Sequence, residues 1–205
     1  MEVTDVRRRR VVQAVLWIAP VALVAILRPW TVVPIEGNKP AAFAAEMFAA
    51  STWPRLMREA SESATDVIDV VMPDGSPTKP RFVKGTGVVE GIDRQSRVGV
   101  MRVQVSGSKS AKVGILIGPV IRGTALRDAS SFIHFSDFTN QFDYAGAANA
   151  LNDYVLRTVV APLPIDTLQG RTVVFTGAIS KSATREDGAI EVTPVQVEVV
   201  NGTAK

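Results

Sequence analysis

The 205-residue sequence has no cysteine and a single histidine, and only 6% of its residues are aromatic. Without cysteine there is no disulfide framework, no thiolate metal site and no thiol nucleophile, and the redox compartment cannot be read from cysteine usage. With one histidine, His134, any metal or acid/base cluster would have to be completed by carboxylates such as Asp128 and Asp137. The charge balance is also modest. A net charge of +3 invites a nucleic-acid reading, but residues 1–28 hold five of the 23 basic and two of the 20 acidic side chains. The remaining chain carries 18 of each and is neutral, which counts against a polyanion as partner.

What the N-terminus does contain is a membrane signal. Arg7, Arg8, Arg9 and Arg10 precede an uncharged stretch at 11–27, closed by Arg28. As a helix this stretch rises about 26 Å, and residues 30–33 add apolar length toward the far interface. No small-residue cleavage site follows closely, and the apolar region is long for a cleaved leader. The arginine run also fits a twin-arginine signal, a reading that the strongly apolar stretch disfavours. We therefore expect 1–28 to be a signal-anchor: a single transmembrane helix in the inner (cytoplasmic) membrane, the excess of arginines keeping the N-terminus cytoplasmic and placing the C-terminal domain in the periplasm.

Residues 29–40, with Pro29, Pro34, Gly37 and Pro40, form a stiff spacer. A helical segment is expected at 41–72, as one helix over 41–50 and a second starting near Pro54, with Ser51 or Thr52 as its cap. From residue 81 the pattern changes to alternation. Strands are expected at 82–92, 98–105, 112–117, 172–179 and 189–199, with a helix over 138–159 between the third and the fourth. That helix is expected to turn Phe142, Ala145, Ala148, Asn149, Asn152 and Val155 inward, with Asp137 or Thr139 at its cap. Three strands, a helix and two strands is the connectivity of an OB-type domain, so the fold class is mainly β with α: an OB-like five-stranded barrel over 81–200. Gly85, Gly87, Gly99 and Gly177 suit bulges where a small barrel bends.

The most unusual residues lie at 115–156. Four large apolar groups, Phe132, Ile133, Phe135 and Phe138, alternate with polar ones; a loop this apolar is expected to pack down on the domain. The run GPVIRGTALRDASSFIHFSDFTNQFDYA and the later VTPVQVEV resemble a family of predicted periplasmic lipoproteins of unknown function. The resemblance covers roughly 43–200. Genes of this family often lie beside those of sugar ABC transporters, which implies an accessory role. In one respect the chain departs from the family pattern: a lipoprotein needs a lipidated cysteine, and this sequence has none.

Polar groups drawn inward by apolar neighbours must find partners, so Arg122, Asp128, Asp137, Asn140 and Gln141 are expected to converge on one side of the barrel as a ligand pocket or interaction surface. Arg122 with Asp128 is either a clamp for a sugar-like ligand or a buried pair holding the loop. Asn140 and Gln141 are either helix caps or amide ligands to a polyol. His134, between Ile133 and Phe135, reads as structural. No catalytic residue, metal site or cofactor is assigned. Three function classes remain: a non-catalytic, membrane-tethered binding or accessory protein, partnered by the inner membrane, sugar ABC transporter components or a small polar ligand; a hydrolase-like enzyme built on the polar cluster; and an oligonucleotide-binding module, which neutrality and export disfavour. The first is favoured.

Overall fold

Period-two alternation builds the sheet. In the first long strand, β2 (Arg81–Asp93), Val83, Gly87 and Val89 are buried while Lys84, Thr86, Val88 and Glu90 face out. The same rule places Met101, Val103 and Val105 of β3 (Val100–Val105) and Val173 and Phe175 of β5 (Thr172–Ile179) inside, as expected of a half-buried strand. These features come from a computed structural model that describes residues 43–71, 79–108, 111–180 and 188–200. The apolar stretch 11–27 and the spacer lie outside the described residues. Among the described residues no helix is long and apolar enough to cross a membrane.

The strands pair in a ring. β2 is antiparallel to β3, β3 to β4 (Lys112–Leu116), and β5 to β6 (Ile190–Val200). β4 and β6 run parallel, through Val113, Gly114 and Ile115 against Ile190, Glu191 and Val192. β5 returns to β2 along the whole run from Arg81 against Ile179 to Val88 against Thr172, which closes the sheet. The expected order of three strands, a helix and two strands is therefore present, and 172–179 and 189–199 share a sheet with 82–92 as expected. Register shifts fall between Val89 and Gly91 and between Thr176 and Gly177, so Gly177 marks a bulge as foreseen. At Gly87 the reason for glycine is different: the Gln104 carbonyl of β3 occupies the place where a Cβ would stand.

The helices differ from the expected pattern in three places. First, 41–72 holds one long helix, α1 (Ala45–Ser63), with Pro54 in its interior and not in a first turn. Its buried stripe, Ala49, Trp53, Leu56 and Ala60, runs unbroken across the proline, and tertiary burial offsets the missing N–H. Second, helical spacing does not continue through 65–71. Ala64 is extended, a two-residue bridge, β1 (Thr65–Asp66), pairs parallel with Val83 and Lys84 of β2, and a short α2 (Val67–Val71) follows. Third, the helix between β4 and β5, α4 (Gln141–Val155), buries Ala147, Ala148, Leu151 and Val155. Phe142, expected inward, is 77% exposed, and Ala145 and Asn149 also face out. Ala148, Asn152 and Val155 are buried as expected, and the face is turned so that Ala147 and Leu151 join them in place of Phe142, Ala145 and Asn149, because Leu151 supplies apolar area that the small residues do not. α4 continues through one wider turn, Leu156–Val160, in which Ala161 donates to the Leu156 carbonyl.

α1 contacts α4 and strands β2, β5 and β6. Leu56, Ala60, Leu151 and Val155 join Phe175 and the strand valines in one core.

Candidate functional site

α1 begins without a polar cap. Its N-cap is Ala44, which makes no side-chain hydrogen bond. Instead Phe43, the residue before the cap, stacks on Phe48 with ring centroids 5.4 Å apart, the hydrophobic-staple arrangement that fixes where a helix starts and the angle at which the chain enters it. Phe138 meets both rings, at 5.8 Å and 5.5 Å. Tyr144 of α4 lies 5.3 Å from Phe138 and 5.5 Å from Phe135. Five rings thus join the start of α1 to the loop at 132–139 and the first turns of α4.

Charge and hydrogen bonding pin the same joint. Glu59, on α1, accepts from the Ser131 backbone N–H at 2.8 Å and the Ser130 hydroxyl at 3.2 Å. One turn earlier, the Arg55 guanidinium lies 4.0 Å from the Phe132 ring centroid, a cation over an aromatic face. On the other side of the loop, α3 (Ala125–Ala129) presents Arg127, which bonds Asp128 at 2.7 Å, donates to the Tyr144 carbonyl at 3.1 Å and stacks on the Tyr144 ring. Asp137 accepts from the His134 backbone N–H at 2.9 Å and closes the turn Phe135–Asp137. Asn140 caps α4, its side-chain oxygen accepting from Phe142 and Asp143 N–H groups at 2.8 and 3.0 Å.

Between these walls lies a groove of about 500 Å³. Phe48, Phe132 and Phe138 give it an apolar lining, Ser51 and Thr139 supply hydroxyls, and Arg55, Asp137 and Asp143 add charge. Its size and its mixture of aromatic surface with a few polar groups suit a small, partly polar ligand. Among the described residues no cluster of histidine and carboxylate side chains is grouped as a metal ion requires.

The family described as "Predicted periplasmic lipoprotein (DUF2291)" matches residues 74–198. The chain belongs to that family. The match takes in the loop and α4 walls of the groove, whereas α1 lies before residue 74 and outside it, so the matched region begins later than the expected 43–200. Among solved structures, an OB-fold protein from Thermotoga maritima is similar over 77% of this chain and 98% of its own, at 19% identity and a TM-score of 0.59. That likeness shows the OB fold. An OBody bound to hen egg-white lysozyme matches over 68% of this chain and 95% of its own, at 16% identity and a TM-score of 0.36. No curated protein matches the sequence.

Of the residues singled out in the sequence, Asp137 lines the groove and Asn140 and Gln141 stand at the start of α4 beside it. Asn140 is the helix cap, and Gln141 is exposed. Arg122 and Asp128 do not pair. Arg122 is exposed, while Asp128 accepts from the Thr124 hydroxyl at 2.6 Å and from Arg127. The cation that holds the loop is Arg127. His134 is exposed, so the loop is anchored by buried Ile133 and by Phe132 and Phe138, with Phe135 left 56% exposed. The residues missed are Arg55 and Glu59. Their signal was present: Ser51, Arg55 and Glu59 recur every fourth residue, a polar stripe on one helix face beside the apolar one.

Proposed function

We propose that this family member is a membrane-anchored periplasmic binding or accessory protein, held in the inner membrane as a single span by 11–27 and presenting the groove to a small polar ligand on behalf of a sugar ABC transporter. The observation that carries the binding role is the groove itself, whose lining combines Arg55, set over Phe132, with Asp137, Asp143 and aromatic surface. A guanidinium and carboxylates offer the donors and acceptors that hydroxyl-rich ligands need, and ring faces cover their apolar edges. The anchoring role rests on the four arginines, the uncharged stretch and the absence of cysteine: a span takes the place that a lipidated cysteine holds in a lipoprotein. The closed sheet serves as the barrel that supports the groove, with α1 and α4 as its working face.

Two measurements test this. N-terminal sequencing of the membrane-extracted protein returns a chain that retains 11–27; a soluble chain beginning after residue 28 overturns the anchor. Affinity purification from solubilised membranes recovers transporter components with the wild-type protein, and Arg55→Ala or Asp137→Asn reduces that recovery or the retention of sugar. Equal recovery and retention by both variants overturns the groove assignment.

A further inference from the structure

The three most exposed large apolar side chains of the described residues are Phe142 (77%), Met47 (70%) and Phe135 (56%). The others are less exposed: Met57 on α1 at 38%, Val120 at 39%, and the strand residues Val88, Val174 and Val200 at 38–42%. The three are not scattered. Met47 adjoins Phe48 of the staple, Phe135 stands edge-on to Tyr144 at 5.5 Å, and Phe142 is one helical turn before Gly146, where a Cβ would lie 3.3 Å from the Phe43 ring. All three fringe the ring cluster that surrounds Phe43. The expected spacer 29–40 ends three residues before Phe43, and a stretch as long as 28–42 spans at most about 50 Å when fully extended.

We propose that this pole of the domain rests on the lipid surface, with Phe142, Met47 and Phe135 inserted at the headgroup level. The inference builds on the proposed anchor. Aromatic and thioether side chains that pack poorly in water gain from the apolar boundary of a bilayer, and a tether this short holds them beside it at high effective concentration, so a contact too weak to recruit a free protein is populated here. Charge does not drive the contact. The neighbouring Glu46, Asp137 and Asp143 are balanced only in part by Arg55 and Arg157, and Glu46 is paired with Arg157 at 3.4 Å. Anionic lipid is therefore not required, which separates this surface from a basic patch attracted to phosphates.

The absence of cysteine makes the test direct. The full chain is reconstituted into vesicles of phosphatidylcholine, with or without phosphatidylglycerol, carrying one environment-sensitive fluorophore through Phe142→Cys, Met47→Cys or, as control on the outer face of β5, Val174→Cys. The first two labels emit at shorter wavelength and are quenched by lipids brominated near the headgroup, equally in both lipid mixtures, whereas the label at 174 behaves as in water. Because Phe142 and Met47 are so exposed, their replacement leaves the thermal melt unchanged. Flotation of the unlabelled chain reads the anchor separately. A chain that floats while the labels at 142 and 47 match that at 174 overturns the lipid contact and leaves the anchor standing; a chain that does not float overturns both. Labels shielded only when a second membrane protein is added, and not by lipid, also overturn the lipid contact and assign the surface to a protein partner.

Discussion

The closed sheet and the aromatic pole are built from similar residues to opposite ends. Phe175 in β5 is 1% exposed and sits among strand valines, whereas Phe142, on the first turn of α4, is 77% exposed. In the sheet the inward apolar groups are enclosed by one another, and at Gly87 glycine is kept where the Gln104 carbonyl passes too closely for a Cβ. At the pole the rings meet at 5 to 6 Å in tilted and edge-on pairs around a groove, and part of their surface is left open. The sheet supplies stability, and the pole is where unsatisfied surface has been retained.

Substitutions in the two regions put that contrast to the test. Phe175→Ala empties a fully enclosed site and should cost about 4 kcal/mol in urea unfolding; a cost near 1 kcal/mol would mean the ring of strands relaxes more readily than its pairing implies. At the joint between sheet helices and pole, Glu59→Ala removes two hydrogen bonds to a carboxylate and should lower stability by about 2 kcal/mol. It should also loosen the loop, seen as faster amide exchange at Ser131. Asn140→Ala deletes the cap of α4 and should cost about 1 kcal/mol, a fall of about 2–4 °C in Tm for a domain of this size. The smallest effect is expected at the pole's edge, where Phe142→Ser should change stability by no more than about 0.5 kcal/mol. A large loss there would erase the contrast and identify Phe142 as core.

The strands were legible because alternation is a local property: Val83 through Glu90 declares its inward and outward faces within eight residues. The phase of α4 was legible only in part: Ala148, Asn152 and Val155 face in as expected, but Ala145, Gly146, Ala147 and Ala148 offer small groups on every side, and it is Leu151 and not Phe142 that fits the core. Pro54 was read as a helix start because its ring suits a first turn, while the stripe of Ala49, Trp53, Leu56 and Ala60 that overrides it crosses the proline. The candidate site was half legible. The loop rich in Phe and Asp stood out, and Asp137 and Asn140 lie there, but its facing wall comes from α1, some eighty residues earlier in the chain, and no spacing rule joins segments so far apart. The expected pairing of Arg122 with Asp128 fails for the same reason: it is Arg127, set over Tyr144 from a distant helix, that Asp128 meets.

Phe43 has two roles at once: it closes the staple that starts α1, and it lines the groove. Loss of the Phe43 ring therefore frees the first turn of α1 and opens one side of the groove together, so the start of the helix and the shape of the groove are not separable by substitution there.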